Sequence, residues 1–264
     1  MDLAEVSTSQ PAALQSQCDR LRSLHTPGAP LLLPNAWDVA TARAVVAAGF
    51  PVVATTSGGV AASLGYEDHE GAPGHEMLAA AARITRGVEV PVTVDAEAGY
   101  GMTAAEVVAA LRSAGAAGCN LEDTNHAAGT LRDPGQHADW LRAVRQTASD
   151  DRYPLVINAR VDVFLGPWLS GQSGQAELVP DALTRANAYL EAGADSVYPI
   201  GLLEADPLRS FIAEVDGPVN VIHVPQGPSV GDLASLGVAR ISWAVFLYRE
   251  AMGRFAESLA SLSD

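Results

Sequence analysis

Two kinds of segment alternate along the chain. Short β-branched or apolar runs, the pattern of strands buried on both faces, recur at Leu31 to Pro34, Val52 to Thr56, Val92 to Glu97, Gly118 to Glu122, Leu155 to Arg160, Ser196 to Ile200, Val219 to Val224 and Arg240 to Trp243. Between most of them lie Ala/Leu/Arg stretches of helical period: Val39 to Ala48, His75 to Arg86, Ala104 to Ala114, Ala138 to Ala148 and Pro180 to Ala192. Ala-Gly punctuation at Ala48-Gly49, Ala114-Gly115-Ala116 and Ala192-Gly193-Ala194 supplies the glycines with which helices end. Met1 to Leu24 precedes the first strand as an added helix, and Ala244 to Leu262 closes the chain as a long amphipathic one.

Eight strand and helix units in 264 residues, with no linker and no shift in composition, predict one (β/α)8 TIM barrel spanning residues 1–264. A doubly wound sheet with a second domain fits less well. Gly166 to Leu178, rich in Gly, Ser and Gln, reads as a loop inserted after the fifth strand.

Composition narrows the chemistry. An apolar fraction of 48% excludes a disordered chain. Thirty-one acidic against 16 basic residues, a net charge of −15, leave no footprint for nucleic acid or an anionic membrane, so a small molecule is the expected partner. Every basic residue is Arg, and without Lys a Schiff-base aldolase, a pyridoxal-phosphate enzyme and a P-loop NTPase are excluded. Cys18 and Cys119 form neither a disulfide framework nor a zinc motif and suit a reducing cytosol. Met1 to Gln10 lacks the charge and apolar run of a secretory signal, and no run is long enough to span a membrane. A soluble cytoplasmic protein is expected.

In a barrel of this kind the reacting groups stand at the carboxyl ends of the strands. Strand two ends Thr55-Thr56-Ser57-Gly58-Gly59, strand three Asp95-Ala96-Glu97, strand four Glu122-Asp123 and strand five Asn158-Ala159-Arg160. Period-two alternation puts Asp95 and Glu97 on one face with Thr93, and Glu122 on one face with Asn120, while Cys119 turns to the helices. Three carboxylates converging on one mouth repel unless a cation lies among them, and an all-oxygen donor set favours Mg²⁺ or Mn²⁺ over zinc. Arg160 suits a bidentate hold on a substrate carboxylate, or else a structural ion pair with Glu122 or Asp162. The Ser57-Gly58-Gly59 turn offers backbone N–H groups to an oxyanion or a carboxylate. Tyr198 and Trp243 stand near strand ends six and eight, where they line the pocket or pack the core; Asp38 reads as the N-cap of the helix that follows.

The segments Thr56-Ser57-Gly58-Gly59, Tyr66-Glu67-Asp68, Asp95-Ala96-Glu97-Ala98-Gly99-Tyr100-Gly101, Leu121-Glu122-Asp123 and Ala159-Arg160-Val161-Asp162 together resemble the isocitrate lyase/phosphoenolpyruvate mutase superfamily. The resemblance covers nearly the whole chain in order, and the segment from Asp95 to Gly101 is its most specific part. It implies a Mg²⁺-dependent barrel that makes or breaks C–C or P–C bonds in small 2-oxo or 2-hydroxy carboxylates through an enolate. It further implies that Asp95 binds the metal most directly, that Glu97, Glu122 and Asp68 act through its waters, and that Ser57, Gly58 and Arg160 hold the substrate. Asp68 lies among four charged residues, Glu67 to Glu70, where a solvated turn is the competing reading.

One departure from the family pattern matters. The family's lyases of isocitrate type carry Lys-Cys-Gly-His after strand four, and the mutases also use a Lys there. Here the loop runs Thr124-Asn125-His126-Ala127-Ala128-Gly129-Thr130-Leu131-Arg132. Asn125 and His126 are then its candidates for contact with a reacting atom, with His223 as a competitor for the acid/base role. The resulting expectation is a Mg²⁺-dependent lyase or hydrolase of oxaloacetate-like or branched malate-like acids. P–C chemistry, with Arg132 facing a phosphoryl group, and a barrel that binds without turnover are the alternatives. A homotetramer, its last helix crossing to a neighbour, follows from the resemblance alone.

Overall fold

A computed structural model describes residues 3–225 and 227–262. The chain opens with α1 (Leu3–Ser23) and enters the barrel through β1 (Leu31–Leu33) and β2 (Asn35–Ala36), one strand position interrupted at Pro34, which has no N–H to give to a ladder. There follow α2 (Val39–Ala47), β3 (Val53–Thr55), α3 (Ser57–Leu64), α4 (Gly74–Arg86), β4 (Val92–Asp95), α5 (Ala104–Ala114) and β5 (Gly118–Glu122). A small antiparallel hairpin, β6 (Thr124–Asn125) and β7 (Thr130–Leu131), precedes α6 (Pro134–Asp150) and β8 (Val156–Val161). The chain then runs through α7 (Leu165–Leu169), α8 (Val179–Glu191), β9 (Ser196–Pro199), α9 (Ala205–Glu214), β10 (Asn220–Ile222), α10 (Val230–Ser235), β11 (Arg240–Ser242) and α11 (Phe246–Ala260).

The inner strands are parallel throughout. One sheet has the order β2-β3-β4-β5-β8-β9 and the other β1-β11-β10. The two join through the chain at Pro34 and through a parallel bridge from Val197 to Val219. Asn35 ties the first seam: its Nδ2 donates to the Thr55 carbonyl at 2.8 Å, and its Oδ1 accepts from the Trp243 amide at 2.8 Å.

Alternation along the strands separates two environments. Val94, Leu121, Ile157, Val197 and Ile241 belong to the main buried core, which lies between the strands and the helices. Asp95, Asn120, Asn158, Ser196 and Arg240 have the opposite parity and point into the barrel. Strand register lines them up. Asp95 pairs with Asn120, Asn120 with Asn158 and Asn158 with Ser196; two residues further on, Glu122 pairs with Arg160 and Arg160 with Tyr198. The polar centre is therefore a stack of rows, in which each side chain meets a neighbour from the next strand.

All eight predicted strand positions and both terminal helices are present, Met1 and Asp2 of the first lying outside the described residues. Asp38 is an N-cap, its Oδ1 accepting from the Thr41 amide at 2.7 Å. Corrections fall where glycine or loop-like composition hides helix. Ser57-Gly58-Gly59 is the first turn of α3, not a free turn, and Gly166 to Leu178 holds most of α7 and a 3₁₀ turn at Gln175–Leu178. No described helix is long and apolar enough to cross a membrane.

Candidate active site

At the carboxyl end of the strands lies a cavity open to solvent. Ser57, Asp68, Asp95, Arg160 and Tyr198, all singled out in the sequence, line it, together with Asn120. Asp95 is fixed from two sides. Its Oδ2 accepts from the Ser57 amide at 3.1 Å and its Oδ1 from Asn120 Nδ2 at 3.5 Å, while its own N–H donates to Thr55 Oγ1 at 2.8 Å. The Ser57 amide is thus committed to Asp95, and a substrate meets the Ser57 side chain more readily than its N–H.

The Asn120 carboxamide has no freedom to flip. Its Oδ1 accepts from Asn158 Nδ2 at 2.9 Å and from Arg240 Nη2 at 3.0 Å, which leaves only its NH₂ group to face Asp95. Arg240 is 1% exposed, its Nε and Nη1 have no hydrogen-bond partner, and burial pushes its guanidinium down to about 10. A cation with no carboxylate in contact among the described residues thus lies beneath the acidic mouth.

Arg160 is already engaged. Its Nε and Nη2 donate to the two oxygens of Asp162 at 2.7 and 2.8 Å, and its Nη1 lies 2.5 Å from Glu122 Oε2. Its bidentate edge therefore belongs to Asp162, and only its remaining N–H groups can reach a substrate. Burial raises the Asp162 carboxyl, but the charge and hydrogen bonds of Arg160 outweigh it and hold the group below the ordinary range. Asp162 is itself anchored, its amide donating to Asp123 Oδ1 at 2.9 Å; Asp123 also accepts from Tyr189 Oη at 2.7 Å and Arg185 Nη1 at 3.1 Å.

Glu97 and Glu122 stand behind the lining, 2% and 1% exposed. Glu97 accepts from the backbone amide of Glu70, joining the loop after β4 to the loop after α3. Burial, then the charges of Asp95, Glu122 and Asp68, push its carboxyl up to about 9. Glu122 Oε1 lies 2.6 Å from His126 Nε2. Burial raises Glu122 against the pull of Arg160, and burial lowers His126, so a neutral imidazole shares this hydrogen bond.

Among the described residues no three of Asp, Glu, His and Cys are gathered closely enough to share an ion. Arg160 and His126 hold Glu122, and Glu70 holds Glu97. Asp95 and Asp68 remain toward the cavity, an arrangement that suits Mg²⁺, which keeps most of its waters and takes one or two carboxylates. The donor set is all oxygen, and the repulsion among these acids, which adds to burial in lifting Glu97, is what a divalent cation relieves, so these residues fit such an ion.

The remaining candidates divide. A Cβ on Gly58 would lie 2.7 Å from Asp68 Oδ2, so glycine there lets Asp68 reach the site. Gly59 is a packing residue, since a Cβ on it would meet Thr56 Cγ2 at 2.8 Å and Trp37 Cβ at 3.1 Å. Asn125 is exposed and its Oδ1 accepts from the Ala128 amide at 3.1 Å, within the hairpin and outside the cavity lining. Arg132 donates to the Ala98 carbonyl at 3.1 Å and stacks over Trp140, bracing the β4 loop instead of facing a substrate. His223 packs on Trp243. His69, Trp168 and Arg249 line the cavity but were not anticipated. His69, whose ring centroid is 5.6 Å from that of His126, adjoins the Asp68 motif, which was the available signal.

The rim is conformationally unusual. His69, Glu70, Glu97 and Tyr100 all have positive φ, between 47° and 65°, and the two loops that carry them touch through Glu97 and Glu70.

Comparison with known proteins identifies relatives of this chain. The family model for phosphoenolpyruvate phosphomutase matches residues 21–263. An uncharacterised protein of Mycobacterium tuberculosis is 35% identical over 242 residues, covering 91% of this chain and 88% of its own. The 2-methylisocitrate lyase of Salmonella typhimurium is 30% identical over 262 residues, with coverages of 90% and 84%. The phosphoenolpyruvate phosphomutase of Streptomyces hygroscopicus is 30% identical over 239 residues, with coverages of 85% and 73%. Among solved structures, one from Burkholderia cenocepacia J2315, provisionally named a phosphonomutase, superposes with a TM-score of 0.86 at 40% identity, covering 92% of this chain and 99% of that one. An oxaloacetate acetylhydrolase in complex with oxalate shares the fold, with a TM-score of 0.82 at 23% identity and coverages of 95% and 87%.

Proposed function

The chain belongs to the isocitrate lyase/phosphoenolpyruvate mutase superfamily of enzymes, and from that premise we propose that it is a Mg²⁺-dependent lyase or hydrolase of C–C bonds in small 2-oxo or 2-hydroxy carboxylates. The observation that carries this reading is Asp95, held on both oxygens at the floor of a cavity that Asp68 and Arg160 also line. Asp95 would hold the cation, with Asp68, Glu97 and Glu122 acting through its waters. When bound, Mg²⁺ or Mn²⁺ supplies Lewis-acid polarisation of the substrate's oxo and carboxylate oxygens.

The chain's own groups supply orientation and proton handling. Ser57 and the free N–H groups of Arg160 hold the substrate carboxylate, and the Arg160 fork keeps its angle because Asp162 and Asp123 fix it from behind. The short hydrogen bond between His126 Nε2 and Glu122 Oε1 stores a proton beside the cavity. P–C chemistry is the weaker reading, because Arg132, the cation expected to face a phosphoryl group, is turned to the β4 loop. The same reading makes the protein a cytoplasmic homotetramer, in keeping with its two free, buried cysteines and the apolar stripe on α11.

Product analysis with Mg²⁺ on oxaloacetate and alkyl-substituted malates tests the activity. Asp95→Ala is expected to lose turnover and to weaken Mn²⁺ binding by at least about 100-fold; turnover undiminished in that variant overturns the assignment.

A further inference from the structure

The cavity has two unlike halves. Ser57, Asp68, Asp95, Asn120 and Arg160 form the polar half. Facing it is an apolar wall with its own origin, a satellite hydrophobic cluster in which Tyr198, Ile200 and Ile222 are buried and Leu165, Trp168 and Phe246 pack on them half-exposed. α7, the ends of β9 and β10 and the start of α11 bring these residues together. The half-exposed members line the cavity, so their apolar surface meets whatever enters it.

Charge points the same way. The formal cations among the described lining residues are Arg160 and Arg249. Arg160 is compensated by Asp162 and Glu122, and Arg249 is exposed to solvent, its guanidinium 6.0 Å from the Phe246 ring centroid. Asp68 and Asp95 add two negative charges to the lining. A tricarboxylate or a phosphoryl dianion has one carboxylate neutralised at the metal end, and its other charges find neither lysine nor an unpaired buried arginine among these residues. Such ligands would be set against an apolar wall, where an unpaired charge is costly.

On the footing of the oxo-acid reading above, we propose that the substrate is a 2-oxo or 2-hydroxy acid whose far end is a branched alkyl or aryl group, seated against the surface that Trp168 and Phe246 form together. The acid end lies on Ser57, Arg160 and the Asp95 side; the tail displaces water from the wall of α7. Trp168 and Phe246, with ring centroids 6.4 Å apart, then determine specificity.

The test is competitive binding to the Mg²⁺-loaded enzyme, by calorimetry, of pyruvate, 2-oxobutanoate, 3-methyl-2-oxobutanoate, 4-methyl-2-oxopentanoate and phenylpyruvate, beside citrate and phosphonopyruvate. Affinity is expected to rise about threefold to fourfold for each methylene buried, with citrate and phosphonopyruvate weaker than the branched and aryl acids. Trp168→Ala is expected to flatten the gradient, and Trp168→Phe to restore most of it. A flat series in the wild type, or tighter binding of citrate or phosphonopyruvate, overturns the proposed tail site and leaves the oxo-acid reading standing. Failure of every 2-oxo acid to bind overturns both.

Discussion

Arg240 and His137 are the two residues at which burial of a titratable group is most nearly uncompensated. An arginine 1% exposed with two unpartnered nitrogens destabilises the fold unless its charge serves elsewhere. Its one hydrogen bond goes to Asn120, the amide that faces Asp95. Arg240→Met, which fills the same volume without the charge, is expected to fold at least as stably as the wild type and to bind Mn²⁺ about tenfold more weakly. Lost stability with unchanged Mn²⁺ affinity, by urea titration and calorimetry, assigns Arg240 a structural role only. His137 is 1% exposed, both its ring nitrogens are unpartnered, and it packs between Trp140 and Tyr189. Burial, then the charge of Arg132, pushes it down to about 3 from an ordinary 6.5. Because the folded value is depressed, the unfolded chain takes up this proton first. Stability is full above about pH 6.5 and falls as pH drops toward 3, by about 1.4 kcal/mol per pH unit. His137→Leu is expected to lower the slope of unfolding free energy against pH in that window by one proton's worth.

At the scale of elements, the strands were legible because a strand buried on both faces is written as an unbroken apolar run, and all eight runs are strands. Legibility failed where the local code is weak. Ser57-Gly58-Gly59 has poor helix propensity, yet α3 begins there because Gly58 makes room for Asp68 and Gly59 packs against Trp37. The acidic half of the site was readable from a contiguous motif and strand parity. The engagement of Arg160 had a signal too, since Asp162 lies two residues further on, just past the end of β8. The apolar wall had none, because Trp168, Ile222 and Phe246 stand on three elements far apart in the chain and only tertiary folding brings them together. The same holds for Arg240 and Asn120, 120 residues apart.

For the molecule as a whole, α11 has no buried residue and shows Met252, Phe255, Leu259 and Leu262, beyond its last turn, along one side, between 44% and 81% exposed. That stripe is the surface on which the proposed tetramer depends. Met252→Glu with Phe255→Glu is expected to yield a folded monomer by light scattering; an assembly unchanged in mass would place the interface elsewhere.

The positive backbone angles of His69, Glu70, Glu97 and Tyr100 have a consequence for anyone seeking a hardier enzyme. Left-handed geometry in a residue with a side chain is held by its surroundings at some expense, and glycine would relax each position. A selection for heat resistance alone would drift toward glycine at this rim, and the survivors would be sturdy cylinders with slack mouths.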